Sequence, residues 1–268
     1  MTTVQLFDNQ DVIKFLQTKI RPTSDFPWLF IYVPETVNDT IRRCFADILQ
    51  PDCLLPPAND PTAKRLDFDA CMLRALEQFA GSEQFRRCRF AAGHFKVFQV
   101  DEIAELGKAR LFTVLRDPVD RLIADFAAQT SSQTPTADKF LEFAKLPANQ
   151  NTHLQFLCPK GIWKPKDCIE FIQDRFDFIG IAEDLPMTIK MFYAIHGARV
   201  HANPTELEPL RPHFNRTHLS ADLIQTVAQL NAVDYAIFRY FHDRFIALKE
   251  SFYAMIDYDE LFRKLAYR

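Results

Sequence analysis

Short continuous apolar runs alternate along this chain with stretches of helical periodicity. The run at 28–33 (WLFIYV) is aromatic and β-branched and sits between Pro27 and Pro34, which predicts a buried strand of the kind found inside parallel sheets. Turn residues at 34–39 lead into a helical pattern through Ile41, Phe45 and Ile48 or Leu49, with Asp39 or Thr40 as the expected N-cap. Residues 51–61 are Pro-rich and read as a connector, and a helix over 68–79 is ended by Gly81. Residues 89–93 (RFAAG) predict a second strand that runs into His94. Residues 111–115 (LFTVL) predict a third, followed at once by a helix over 119–128 with Pro118 at its first position and Asp117 as N-cap. Further helices are expected over 138–146, 149–157, 185–196 and 232–251, and Ser220 caps another. A fourth strand falls at 177–182, with loops at 131–136, 158–166 and 202–215.

Strands alternating with helices imply βαβ units, hence an α/β fold: a three-layer, mainly parallel sheet with helices on both faces. Such sheets bind ligands at the carboxyl ends of their strands. The loop after Val33, the turn at His94 and the turn at Arg116 all belong to that edge. The 268 residues suit one sizeable core, and no repeat, low-complexity tract or boundary divides them, so a single domain over 1–268 is expected.

Composition narrows the function classes. A net charge of −3 disfavours nucleic acid as the main partner. The basic groups Arg86, Arg87 and Arg89, and Lys160, Lys164 and Lys166, read as solvated faces. Only 6 glycines argue against a Gly-rich phosphate loop, and 26 phenylalanines point to a Phe-rich core. The 6 cysteines show neither CxxC nor zinc-finger spacing, so buried thiols in a reducing compartment are expected. The histidines show no HExxH spacing and no metal site is expected. No signal-peptide pattern opens the chain and no apolar run has the length of a membrane span, which together predict a cytoplasmic protein.

The sharpest local signal is 111–126, LFTVLRDPVDRLIADF. A strand ends in Arg116 and a helix begins at once, so a guanidinium and helix N–H donors meet at one sheet edge, a combination that favours phosphate. Pairing of Arg116 with a carboxylate at an ordinary strand–helix junction is the alternative.

This segment resembles the strand-to-helix Arg-Asp-Pro-x-x-Arg element that binds the 3′-phosphate in sulfotransferases. The likeness is to the carbohydrate group related to heparan and dermatan 2-O-sulfotransferases and its bacterial relatives. Segments 30–34 (FIYVP), 93–95 (GHF), 177–183 (DFIGIAE), 214–217 (FNRT) and 231–235 (NAVDY) are similar to further family elements, in family order and over most of the chain. The resemblance implies a P-loop-like sulfotransferase fold. It implies transfer of a sulfuryl group from the co-substrate 3′-phosphoadenosine 5′-phosphosulfate to a hydroxyl-bearing small molecule or glycan. By the same resemblance His94 is the base, Arg116 with Arg121 and Arg216 holds the 3′-phosphate, and Thr36, Asn38 and Thr40 belong to the donor loop. Imidazole titrates near neutrality and can accept the acceptor's proton.

The chain departs from the family pattern at defined positions. Glu35 stands where the donor-loop lysine belongs, Asn38 replaces a glycine, and Asp39 adds a second negative charge. Ala124 replaces a serine that touches the 3′-phosphate, and Phe126 replaces a tyrosine. Arg42 or Arg43, one turn into the helix, is the expected substitute cation. Two readings follow: an active sulfotransferase with an altered donor loop, or a catalytically inactive relative that binds a nucleotide or glycan in a regulatory or binding role.

Overall fold

The computed structural model describes residues 27–55, 68–130, 135–196 and 214–255. Strands β1 (Trp28–Ile31), β2 (Asp52–Leu55), β3 (Phe90–Gly93), β4 (Arg110–Leu115) and β5 (Phe176–Ile181) form one sheet in the order β2-β3-β1-β4-β5. Every pairing is parallel. The helices are α1 (Asp39–Ile48), α2 (Phe68–Ala80), α3 (Glu83–Arg87), α4 (Val97–Asp101), α5 (Pro118–Gln129) and α6 (Ala137–Lys145), then α7 (Thr152–Leu157), α8 (Pro165–Arg175), α9 (Leu185–Ile195), α10 (Ala221–Leu230) and α11 (Ala232–Met255). The expected three-layer α/β architecture is the one the chain adopts.

A parallel sheet covered on both faces needs strands that are apolar throughout, and β1 meets that demand with Leu29, Phe30 and Ile31 at 0% exposure. The phenylalanines are core. Phe30 stacks on Phe112 of β4 at 4.7 Å, and Phe45 of α1 and Phe192 of α9 meet edge to face at 4.7 Å above them. Such ring pairs add about 0.5–1.5 kcal/mol each beyond their buried area. A second apolar cluster joins α5, α6 and α10 through Leu122, Phe126, Phe140, Phe214 and Val227. The six cysteines are all buried and none is in a disulfide.

The strand exits of β1, β3 and β4 are adjacent because β1 sits between the other two. Several expected elements change. The connector at 51–61 contains the edge strand β2, whose exposed–buried alternation is too short to stand out among prolines. Asn38, not Asp39 or Thr40, caps α1, its side chain accepting from the Ile41 N–H at 3.0 Å. The 158–166 loop ends at Lys164, where Pro165 opens α8, a helix the sequence reading omitted along with α3 and α4. The helix expected over 149–157 is a 3₁₀ turn, Pro147–Asn149, then Asn151 at φ 49, then α7. Residues 56–61, 131–134 and 202–213 of the expected connector and loops lie outside the described residues.

Two helix starts cap each other across the chain. Asp234 in the first turn of α11 accepts the His153 and Leu154 N–H groups of α7, both at 2.8 Å. Asn151, before α7, returns the bond by accepting the Val233 and Asp234 N–H groups at 3.1 and 3.2 Å. Four donors that a helix start leaves orphaned are satisfied this way.

Candidate functional site

The three exits converge on the backbone that leaves β1. After β3 the chain passes Gly93 into His94, whose Nδ1 lies 2.6 Å from the Tyr32 carbonyl oxygen. That oxygen only accepts, so Nδ1 carries the hydrogen and Nε2 keeps its lone pair. The Tyr32 carbonyl bond is the one hydrogen bond the described residues give this ring. The ring stacks on Tyr32 at 4.5 Å, and burial lowers its pKa while the Tyr32 carbonyl bond opposes the fall. His94 is therefore neutral at neutral pH, in a tautomer that can take a proton.

Gly93 permits this turn by having no side chain. A Cβ there meets the Leu55 carbonyl oxygen at 2.6 Å and the Phe95 ring at 2.8 Å. Gly93→Ala is expected to cost about 1–3 kcal/mol by overpacking and to displace His94. A urea titration checks the stability, and the His94 ring resonances check the displacement.

After β4, Arg116 is 6% exposed and its Nη1 donates to the Glu35 carbonyl at 2.9 Å. Glu35 holds φ 60, a left-handed bend unusual for a residue with a side chain. Burial and the Asp125 carboxylate raise the Glu35 pKa, while the Arg116 and Arg121 guanidiniums lower it, so its carboxylate sits in the field of both cations.

The other expected donor-site residues are engaged within the protein. Thr36 is buried and its hydroxyl donates to the Val33 carbonyl at 2.7 Å. Asn38 spends its side chain on the α1 cap. Thr40 is the second residue of α1, and its side chain lies outside the described residues. Arg42 reaches Asp39 at 3.0 Å and Asp52 at 3.6 Å, and Arg43 reaches Asp39 at 3.4 Å, so neither substitute cation stands without a carboxylate.

The N-terminus of α5 corrects one expectation. Its N–H donors are not left for an anion, because Asp117 Oδ1 accepts from Val119 at 2.9 Å and Asp120 at 3.1 Å. Asp117 also binds Arg216, which reaches Asp120 at 2.6 Å. Burial lowers the Arg216 pKa, but Asp117 and Asp120 raise it further, a guanidinium held by carboxylates. Arg121 points inward, is 1% exposed and approaches Asp125 at 3.4 Å. Its Nε and Nη2 lack partners among the described residues.

Sequence reasoning missed Tyr32 and Glu183. The Tyr32 carbonyl fixes the His94 tautomer, and a backbone group leaves no mark in the sequence. Glu183, just past β5, accepts the Asp117 N–H at 2.7 Å, and Tyr235 donates to Asp117 at 3.1 Å. Both lie in segments that carried the family resemblance, which was their available signal. Among the described residues no cluster of three or more His, Cys, Asp or Glu is placed to hold a metal ion, and no helix is long and apolar enough to cross a membrane. No known protein family and no curated protein matches this chain.

Proposed function

We propose that this chain is a sulfotransferase-type protein that moves a sulfuryl group from 3′-phosphoadenosine 5′-phosphosulfate to a hydroxyl of a carbohydrate or similar acceptor. The observation that carries the reading is His94. It is a neutral imidazole with Nδ1 fixed on a carbonyl and Nε2 in the accepting form, at the same sheet edge as Arg116 and the 34–39 loop. Nε2 takes the proton of the acceptor hydroxyl as its oxygen attacks sulfur in line. The bond from sulfur to the 5′-phosphate oxygen breaks, and 3′-phosphoadenosine 5′-phosphate departs with the electron pair. Such transfers depend on positioning and charge neutralisation more than on covalent help from the protein. Arg116, which already binds the Glu35 carbonyl, is the cation this reading sets against the departing nucleotide at the β4 exit.

Glu35 favours a second reading, that of a relative which binds without transferring. Its carboxylate occupies the lysine position and faces the two guanidiniums an anion would seek. Two experiments separate the readings. Thermal shift with 3′-phosphoadenosine 5′-phosphate is expected to stabilise the protein by about 2.7 kcal/mol at a hundredfold excess over the dissociation constant. No shift at millimolar nucleotide sinks both nucleotide readings. Glu35→Lys is expected to tighten nucleotide binding by about tenfold, or 1.4 kcal/mol. Transfer by the natural chain supports the first reading, and transfer seen only with lysine at position 35 supports the second.

A further inference from the structure

A cleft of about 200 Å³ lies between α2, α4, α7 and the loop before α8, lined by residues that include Asp69, Phe98, Leu154, Lys160, Ile162 and Trp163. Trp163 presents an exposed ring in its wall, and a second exposed ring belongs to the residue before the lining Asp69. Phe68, which precedes Asp69, is 51% exposed with its ring 6.2 Å from that of His94. Trp163, in the cleft wall, is 67% exposed. Exposed rings beside a concave apolar surface are placed to stack on a ligand.

The charges in this cleft are unequal. Lys96 is matched by Asp69 at 2.6 Å. Lys160 lies 4.1 Å from the centre of the Phe98 ring and has no carboxylate partner among the described residues. The loop delivers it there through Gly161 at φ +90, a bend that side-chain-bearing residues rarely adopt. An apolar wall with one unmatched ammonium selects a ligand with an apolar body and a single negative charge. The volume sets the size, since an apolar cavity of about 150 Å³ accepts one benzene.

We propose that this cleft binds a single-ring aromatic carboxylate, the ring against Trp163 and the carboxylate on Lys160, whose ammonium covers the Phe98 ring. The ligand's role as acceptor, with its hydroxyl presented to His94, rests on the transferase reading; its binding does not. The test therefore uses the full chain without nucleotide. Its 2 tryptophans give two indole N–H resonances in a ¹⁵N spectrum, and the Trp163 signal is identified by its loss in Trp163→Phe. Phenylacetate is expected to shift that signal saturably and leave the Trp28 signal in place. The neutral 2-phenylethanol is expected to bind about tenfold more weakly, as is phenylacetate to Lys160→Met, while Lys160→Arg keeps the affinity. The proposal is overturned by no saturable shift at millimolar phenylacetate, by equal affinity for the acid and the alcohol, or by full affinity in Lys160→Met. Any of these leaves the transferase reading standing with another acceptor, and absence of transfer leaves a positive binding result intact.

Discussion

Asp234→Ala is expected to lower folding stability by about 3–5 kcal/mol, the range for breaking a buried charged network by removing one member. The carboxylate is fully buried and accepts two N–H groups of α7 at 2.8 Å each. Alanine leaves both donors without their carboxylate partner in a fully buried site, at about 1–3 kcal/mol each, and takes a negative charge from the neighbourhood of Arg121. Asp234→Asn keeps one oxygen acceptor and is expected to lose roughly half as much. Chemical denaturation reads both, and an alanine variant within about 1 kcal/mol of the parent contradicts the account.

Asp234 and the His153 side chain, 3.4 Å apart, together set a pH signature. Burial raises the Asp234 pKa from 3.8 to about 6, against the pull of the Leu154 and His153 N–H groups and of Arg121. A raised folded pKa contributes stability at low pH that is lost as pH climbs through 6. Burial and Arg121 lower the His153 pKa from 6.5 to about 3, which contributes stability at high pH that is lost as pH falls through that interval. The two oppose each other between about pH 4 and 6. Asp234→Asn removes the first and leaves the second, so its stability is expected to fall more steeply with acid than that of the parent. Denaturation midpoints at pH 4, 5, 6 and 7 compare the slopes.

His94→Gln is expected to reduce transfer by about 10²- to 10⁴-fold, the range for losing a positioned base. Nucleotide affinity is expected to stay within about twofold, because His94 belongs to the acceptor side of the proposed reaction. Release of 3′-phosphoadenosine 5′-phosphate in the presence of acceptor measures the first, and a thermal shift the second. The parent's rate is expected to be flat above the ordinary histidine range and to decline only in acid, since burial lowers the His94 pKa. A rate that rises through pH 7 or above, or a glutamine variant with normal turnover, removes His94 from the mechanism.

The strands most legible in the sequence were those buried on both faces, since WLFIYV, LFTVL and FIGIA have no polar alternation to confuse them. β2 was not legible, because an edge strand of four residues with two exposed positions resembles the Pro-rich connector around it. α8 hid behind its own opening, where Lys164, Pro165 and Lys166 read as more loop although proline suits a first helical turn. At the site, the positions of His94 and Arg116 were legible because each follows a strand directly. Their orientations were not. Arg216 turns to Asp117 and Asp120, about a hundred residues earlier in the chain, and only the folded arrangement brings them together. The left-handed bend at Glu35 was equally hidden, since neither glutamate nor its neighbours announce it.

That bend has a consequence for how an anion would be received. A side-chain-bearing residue in the left-handed region pays about 1–2 kcal/mol, and the Arg116 guanidinium grips the carbonyl of the residue that pays it. A phosphate group that draws Arg116 toward itself slackens the clasp on Glu35 and lets the kinked peptide relax. On the proposed nucleotide reading, anion binding at Arg116 and reshaping of the turn at Glu35 are then one event, the backbone strain being present in the chain without ligand.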